Sequence, residues 1–172
     1  MECSSEYTIP FVGLKNGLHQ FKFPINGSFF DLFDYEDFLS SALEVILELE
    51  KQPTLLNLHF RAQGFVKVPC DLTNEPFDLP LDTEFSLVVK FGSAVSHTDE
   101  ILILPEGSYQ VDVQQYIYEM IVLAVPVKKV HPGIADGSLK SDILDKLNEL
   151  APKATPETEQ TDPRWDKLKD LL

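Results

Sequence analysis

The groups of this chain that could hold a metal, act as a nucleophile or move a proton are four histidines, two cysteines and 28 acidic side chains. The histidines are His19, His59, His97 and His131, and none stands three or four residues from another or beside a cysteine pair. Structural zinc draws on four soft ligands, usually two of them close in sequence. No C-x-x-C is present, so no metal site and no cofactor are expected. Cys70 lies between Pro69 and Asp71, and a neighbouring carboxylate opposes thiolate formation. Its plain role is that of a buried or turn cysteine. Neither a G-x-S-x-G elbow nor a glycine-rich phosphate loop occurs. His97-Thr98-Asp99-Glu100 sets a base beside acids, in a loop-like stretch where such neighbours are usually solvated. A hydrolase built on His97 and Cys70 would need the two within hydrogen-bond reach. It is the third reading of the chain, behind two binding functions, and no catalytic residue is assigned.

Charge says more than motif. The net charge is -14 over 172 residues. Residues 71–120 hold Asp71, Glu75, Asp78, Asp82, Glu84, Asp99, Glu100, Glu106, Asp112 and Glu119 against the single base Lys90. Nucleic-acid binding draws its affinity from neutralised phosphates, which an acidic surface opposes, whereas basic partners are attracted. Direct RNA binding would rest on a small local basic site, with Arg61, Lys67, Lys128 and Lys129 as its candidates. Phe21, Phe23 and Phe60 recur at strand spacing as stacking aromatics would, but with so little basic frame they are better placed in a core. The N-terminus MECSSEYTIP lacks the basic start and apolar run of a signal peptide. The apolar stretch from Tyr116 to Val127 is too short to span a bilayer. A cytoplasmic protein without membrane attachment is expected, and in a reducing compartment a Cys3–Cys70 disulfide is not.

These residues must be positioned by strands, because period-two alternation dominates the first hundred residues. Runs at 7–14 and 18–25 flank Asn16-Gly17, a hairpin signal. In the second run His19, Phe21, Phe23 and Ile25 face one side. Ser28 could cap a short helix over 28–34. In 42–50, Val45, Leu47 and Leu49 alternate with Glu44, Ile46, Glu48 and Glu50, which predicts a strand despite good helix formers. Residues 55–68 and 77–91 are longer alternating runs joined by the turn DLTNEPF, with Gly64 suggesting a bulge or bend. A short strand at 100–104 follows. Asp112 and Gln115 then suit a capping box for a helix that Pro126 stops. Residues 126–137 are loop-like, and 138–150 form a helix with Ile143, Leu144, Leu147 and Leu150 on one side.

Strands first and helices last predict an α+β fold. The expected form is a curved antiparallel sheet or half-barrel of about six strands, with one packed helix and a helical C-terminal tail. Residues 1–150 would make one domain, and 151–172 a proline-rich linker and an amphipathic helix. In that helix Asp162 can cap and Pro163 suits the first position. Trp165 and Leu168 lie on an apolar edge, while Lys167 and Lys169 complement the helix dipole. Asp162, Pro163, Arg164, Trp165 and Leu168 are therefore the candidate partner-binding residues, in an element that docks either at home or in a partner's groove.

These features together resemble the YceD-like family, bacterial proteins linked to accumulation of large-subunit ribosomal RNA. The resemblance rests on the terminal Asp162-Pro163-Arg164 followed by Leu168, and on the long strands around Cys70 in VPCDLTNEPFDLPL. It extends to DEILILPEG, DVQQYIYEMIVLAVPV and the following Pro126 and His131. Many members carry a paired turn cysteine and a later cysteine cluster that suggest zinc. Here Cys70 stands alone and HPGIADGSLKSD has no cysteine, so a metal role does not carry over. The resemblance implies a non-enzymatic factor in large-subunit ribosomal RNA processing and ribosome assembly. Acidity implies a basic ribosomal protein or processing factor as its partner, with indirect or weak association with RNA.

Overall fold

The computed structural model describes residues 5–92, 100–139 and 141–151. The chain divides into two compact units, Met1–Leu139 and Lys140–Leu172. The first is α+β. A five-stranded open sheet runs in the order β2 (Gly17–Asn26), β3 (Ser40–Lys51), β4 (Leu55–Pro69), β5 (Pro76–Phe91) and β6 (Ile101–Leu104). A separate two-stranded sheet joins β1 (Thr8–Pro10) to β7 (Gln110–Asp112). Among the described residues, this unit's α-helices are α1 (Gly27–Asp31), α2 (Gln114–Ala124) and α3 (Pro132–Ala135), and a 3-10 turn at Ser5–Tyr7 precedes β1.

Alternation on the three central strands puts one set of side chains inside. Val45, Leu47 and Leu49 on β3, Leu56, Leu58, Phe60 and Ala62 on β4, and Leu87 and Val89 on β5 are buried. Helix α2 covers this inner face against β5, burying Ile117, Met120 and Ile121. Short α1 inserts Phe29 and Phe30, which meet each other edge-on at 5.3 Å. Each fully buried side chain of this size contributes roughly 1.5–3 kcal/mol. The opposite sheet face, with Glu44, Glu50, His59, Arg61, Gln63, Asp82 and Glu84 exposed, is open.

Several expectations are corrected. The hairpin across Asn16-Gly17 does not form: β1 pairs with β7, and β2 with β3. The β1–β7 pairing buries Ile9 and Val111. Lys51, opposite Gly17 at the start of β2, ties the loop between β1 and β2 to the end of β3, its Nζ donating to the carbonyls of Phe11 and Leu14, both at 2.8 Å. The sheet is mixed, since β6 runs parallel to β5. The short helix is capped at Asn26 rather than Ser28, whose hydroxyl donates to Asn26 Oδ1. Helix α2 begins one residue later than the capping box requires. Asp112 Oδ1 accepts from the Gln114 N–H, and Gln115 instead bonds Glu119. The loop-like 126–137 contains α3, started by Pro132 with His131 as its cap. In the second unit, α4 spans Asp142–Leu150 and leaves Ile143, Leu147 and Leu150 exposed along one side.

Gly64 is not a bulge. Pairing runs unbroken through Leu43, Gly64 and Leu81, and the buried parity of Ala62 continues at Val66 and Val68. The glycine instead has φ +146 and lies so close to β3 that a Cβ would strike the Ala42 carbonyl oxygen and stand 2.8 Å from the Leu43 Cα. Backbone cannot yield as a flexible side chain does. Gly64→Ala is expected to cost on the order of 2–4 kcal/mol in urea denaturation, a large single-residue effect. A loss below about 0.5 kcal/mol, the level of an ordinary surface substitution, would refute the close-approach account.

Candidate functional site

Two places bring chemistry-bearing residues together. The first is the β4–β5 turn. Cys70 N–H donates to the Glu75 carbonyl and Asn74 N–H to the Cys70 carbonyl, with Asn74 in the left-handed region at φ 58. This tight turn is tied to the segment after α2. Asp71 N–H donates to the Lys129 carbonyl at 2.8 Å, and Lys129 N–H returns a bond to Asp71 Oδ2 at 2.6 Å. His131 N–H donates to Cys70 Sγ at 3.3 Å, and the His131 ring packs 5.4 Å from Phe77. His131 Nδ1 accepts from Gly133 N–H, so that nitrogen is occupied by its own helix start. The contact is a clasp across about sixty residues of sequence.

Burial pushes the Cys70 thiol up, but bonds from the Thr73 hydroxyl and from the backbone of His131, Leu72 and Thr73 outweigh it and bring the thiol down to about 7. The neighbouring Asp71, which argued against a thiolate in the sequence, spends its carboxylate on Lys129. Among the described residues no three His, Cys, Asp or Glu side chains converge as a metal would need.

The second place is the open face of the sheet. Lys22 faces Glu44 at 3.7 Å, Arg61 faces Asp82 at 3.4 Å and Lys67 faces Asp78 at 3.5 Å. At the centre, His59 Nδ1 lies 3.0 Å from Ser86 Oγ and Nε2 lies 3.7 Å from Glu84. The order serine, histidine, carboxylate invites comparison with a hydrolytic triad. It sits on solvent-exposed strand positions, where it serves as a cross-strand polar row. His59 and Ser86 are 27 residues apart in sequence, and only the β4–β5 register joins them. No sequence motif marked this row, although the outward parity of both strands could have.

The residues singled out in the sequence are not gathered at one point. Arg61 and Lys67 are six positions apart on β4, about 20 Å, and each faces a carboxylate. Lys128 and Lys129 belong to the clasp segment after α2. The acids of 71–120 do not form one face either. Asp78, Asp82 and Glu84 project from the open face, whereas Glu119 projects from α2, which covers the other. Strand parity separates them, because a run of acids in sequence spans both layers of the fold. Asp162, Pro163, Arg164, Trp165, Leu168 and His97 lie outside the described residues.

The first unit is a one-sided sheet with a helical layer behind it and a charged face in front. Over residues 58–172, about two thirds of the chain, the sequence matches the family of the large ribosomal RNA subunit accumulation protein YceD, and the chain belongs to that family. The match starts inside β4 and takes in β5, the clasp and everything that follows. No curated protein and no solved structure matches the chain. The family's name ties it to accumulation of the large-subunit ribosomal RNA. No helix of the described residues is long and apolar enough to cross a membrane.

The clasp carries a pH test. A thiol whose folded value is held below its unfolded value of about 8.5 adds stability as the thiolate, present above that unfolded value and lost as pH falls through about 7. In a Cys3→Ser background, unfolding free energy is therefore expected to rise by on the order of 1–2 kcal/mol from pH 7 to 9 relative to the same protein carrying Cys70→Ala. Parallel pH profiles would show that no thiolate forms.

Proposed function

We propose that this protein supports accumulation of large-subunit ribosomal RNA without catalysing a reaction, by binding a basic protein partner. A ribosomal protein or a processing factor has the required charge. The observation that carries the reading is the family match, joined to a net charge of -14. Bare RNA is repelled by such a surface and basic proteins are drawn to it. Of the cations that would recruit phosphate on the sheet, Lys22, Arg61 and Lys67 already face carboxylates, and Lys90 lies at the far end of β5. Contact with RNA is then indirect. The C-terminal segment bearing Asp162, Pro163, Arg164, Trp165 and Leu168 supplies a second contact, its short amphipathic pattern suiting a groove.

A tagged pull-down, with and without ribonuclease, tests this. Large-subunit proteins are expected to be retained after ribonuclease, to fall off as salt rises above 150 mM, and to be reduced by Trp165→Ala. Recovery that vanishes on ribonuclease treatment would make RNA the direct ligand and overturn the reading.

A further inference from the structure

From the geometry of the open sheet face, we propose that it is the docking surface for an extended Lys/Arg-rich segment of a partner protein. The inference rests on the proposal of a basic partner and assigns it a place. Register puts Glu44, Glu48 and Glu50 along β3 and Asp78, Asp82 and Glu84 along β5, on the same side of the sheet. Two acidic rails therefore run parallel on either side of β4, roughly 10 Å apart, with carboxylates two positions apart on one strand spaced about 7 Å. Between them β4 presents His59, Arg61, Gln63 and Lys67. The rails outweigh the cations of the same face, which are Lys22, Arg61, Lys67 and, at the far end of β5, Lys90.

An extended segment matches this pattern better than a globular surface. Laid along β4, it has the same residue spacing as the strands beneath, and successive side chains reach opposite rails. The resident ion pairs do not obstruct it. Their contacts are 3.4–3.7 Å, and every side chain in them is 43–69% exposed. Exposed pairs of this kind are weak, so an incoming ammonium or guanidinium exchanges for a resident cation at little cost. Among the described residues Glu48 and Glu50 lie outside these pairs, and Glu50 accepts from the Asn57 amide. Polar β4 groups remain available as hydrogen-bond partners once the rails are occupied. A phosphate backbone laid on the same face would meet carboxylates on both sides, which sets the protein segment above RNA.

The full-length protein, titrated with a fluorescein-labelled decalysine peptide, provides the test. E48Q/E84Q is expected to weaken binding at least tenfold. D31N/E119Q, which removes the same charge from helices α1 and α2 behind the sheet, should change it less than twofold. E44Q/D82N, on a different pair of rail positions, should follow E48Q/E84Q. Equal losses from the rail and off-face variants would mean non-specific charge attraction and overturn the proposal, as would rail variants that bind like the unmodified protein. Tighter binding of a uridine decamer than of decalysine would also overturn it. Retention of large-subunit proteins by E48Q/E84Q in the ribonuclease-treated pull-down would sink the docking surface while leaving the basic-partner reading intact. Failure of the unmodified protein to retain them would sink that reading, whatever the peptide does.

Discussion

The register of β3, β4 and β5 is the constraint on which both layers of the molecule depend. Leu47, Phe60 and Phe85 stand in one row and Leu49, Leu58 and Leu87 in the next, all directed inward. The intervening rows, Glu48 with His59 and Ser86, and Ile46 with Arg61 and Glu84, are directed outward. A slip of one residue on β3 would bring Glu44, Glu48 and Glu50 into the core and put Val45, Leu47 and Leu49 in water. Burying even one unpaired carboxylate costs more than any of these side chains contributes. The core thus fixes the pattern of charges in front, and the two are a single choice of pairing. Gly64 keeps that choice intact along a 15-residue strand, allowing β4 to approach β3 without the extra residue that would have reversed parity beyond it.

The clasp at the end of β4 solves a different problem. A turn between two long strands is a place where pairing frays, and here it is anchored to the segment leaving α2 on the other layer. Two backbone groups of Lys129 and the N–H of His131 are satisfied by Asp71 and Cys70. Hydrogen bonds of this kind contribute about 0.5–1.5 kcal/mol each. The thiol sulfur is a weak acceptor when protonated and a stronger one as thiolate, so the donors directed at it both hold the turn and draw its proton off. This geometry makes Cys70 a structural group with an altered acidity, and metal is not needed to close the contact.

Much of the sheet was legible in the sequence, because one-sided burial writes itself as alternation. The strand at 42–50 was read correctly against its helix-forming leucines and glutamates, since period outweighs propensity when one face is buried. What failed was pairing and punctuation. Asn16-Gly17 signals a turn, but it carries no information about whether Thr8–Pro10 lies beside β2 or crosses to Gln110–Asp112. Gly64 looks the same in sequence whether it absorbs an extra residue or admits a neighbouring backbone. The parallel placement of β6 depends on the 92–100 connection, which has no periodicity. The candidate site was less legible for the same reason. Its central row joins His59 to Ser86 through register alone, and the acidic run of 71–120 belongs to two layers that sequence distance cannot separate.

Sequence charge and surface charge therefore differ in what they say about a partner. The net charge of -14 excludes little by itself, since it serves solubility as well as recognition. Its arrangement on the sheet is more restrictive. Lys22, Arg61 and Lys67 are paired with carboxylates on neighbouring strands and Lys90 lies at the far end of β5, so the described cations form no continuous basic track, while a surplus of acid is preserved along β3 and β5. Exposed pairs stabilise a fold by at most about 1 kcal/mol each, so holding the sheet together does not account for the arrangement. Like charges set side by side would repel, and interleaved cations relieve that repulsion in the free protein. The face can then remain acidic overall without straining the sheet.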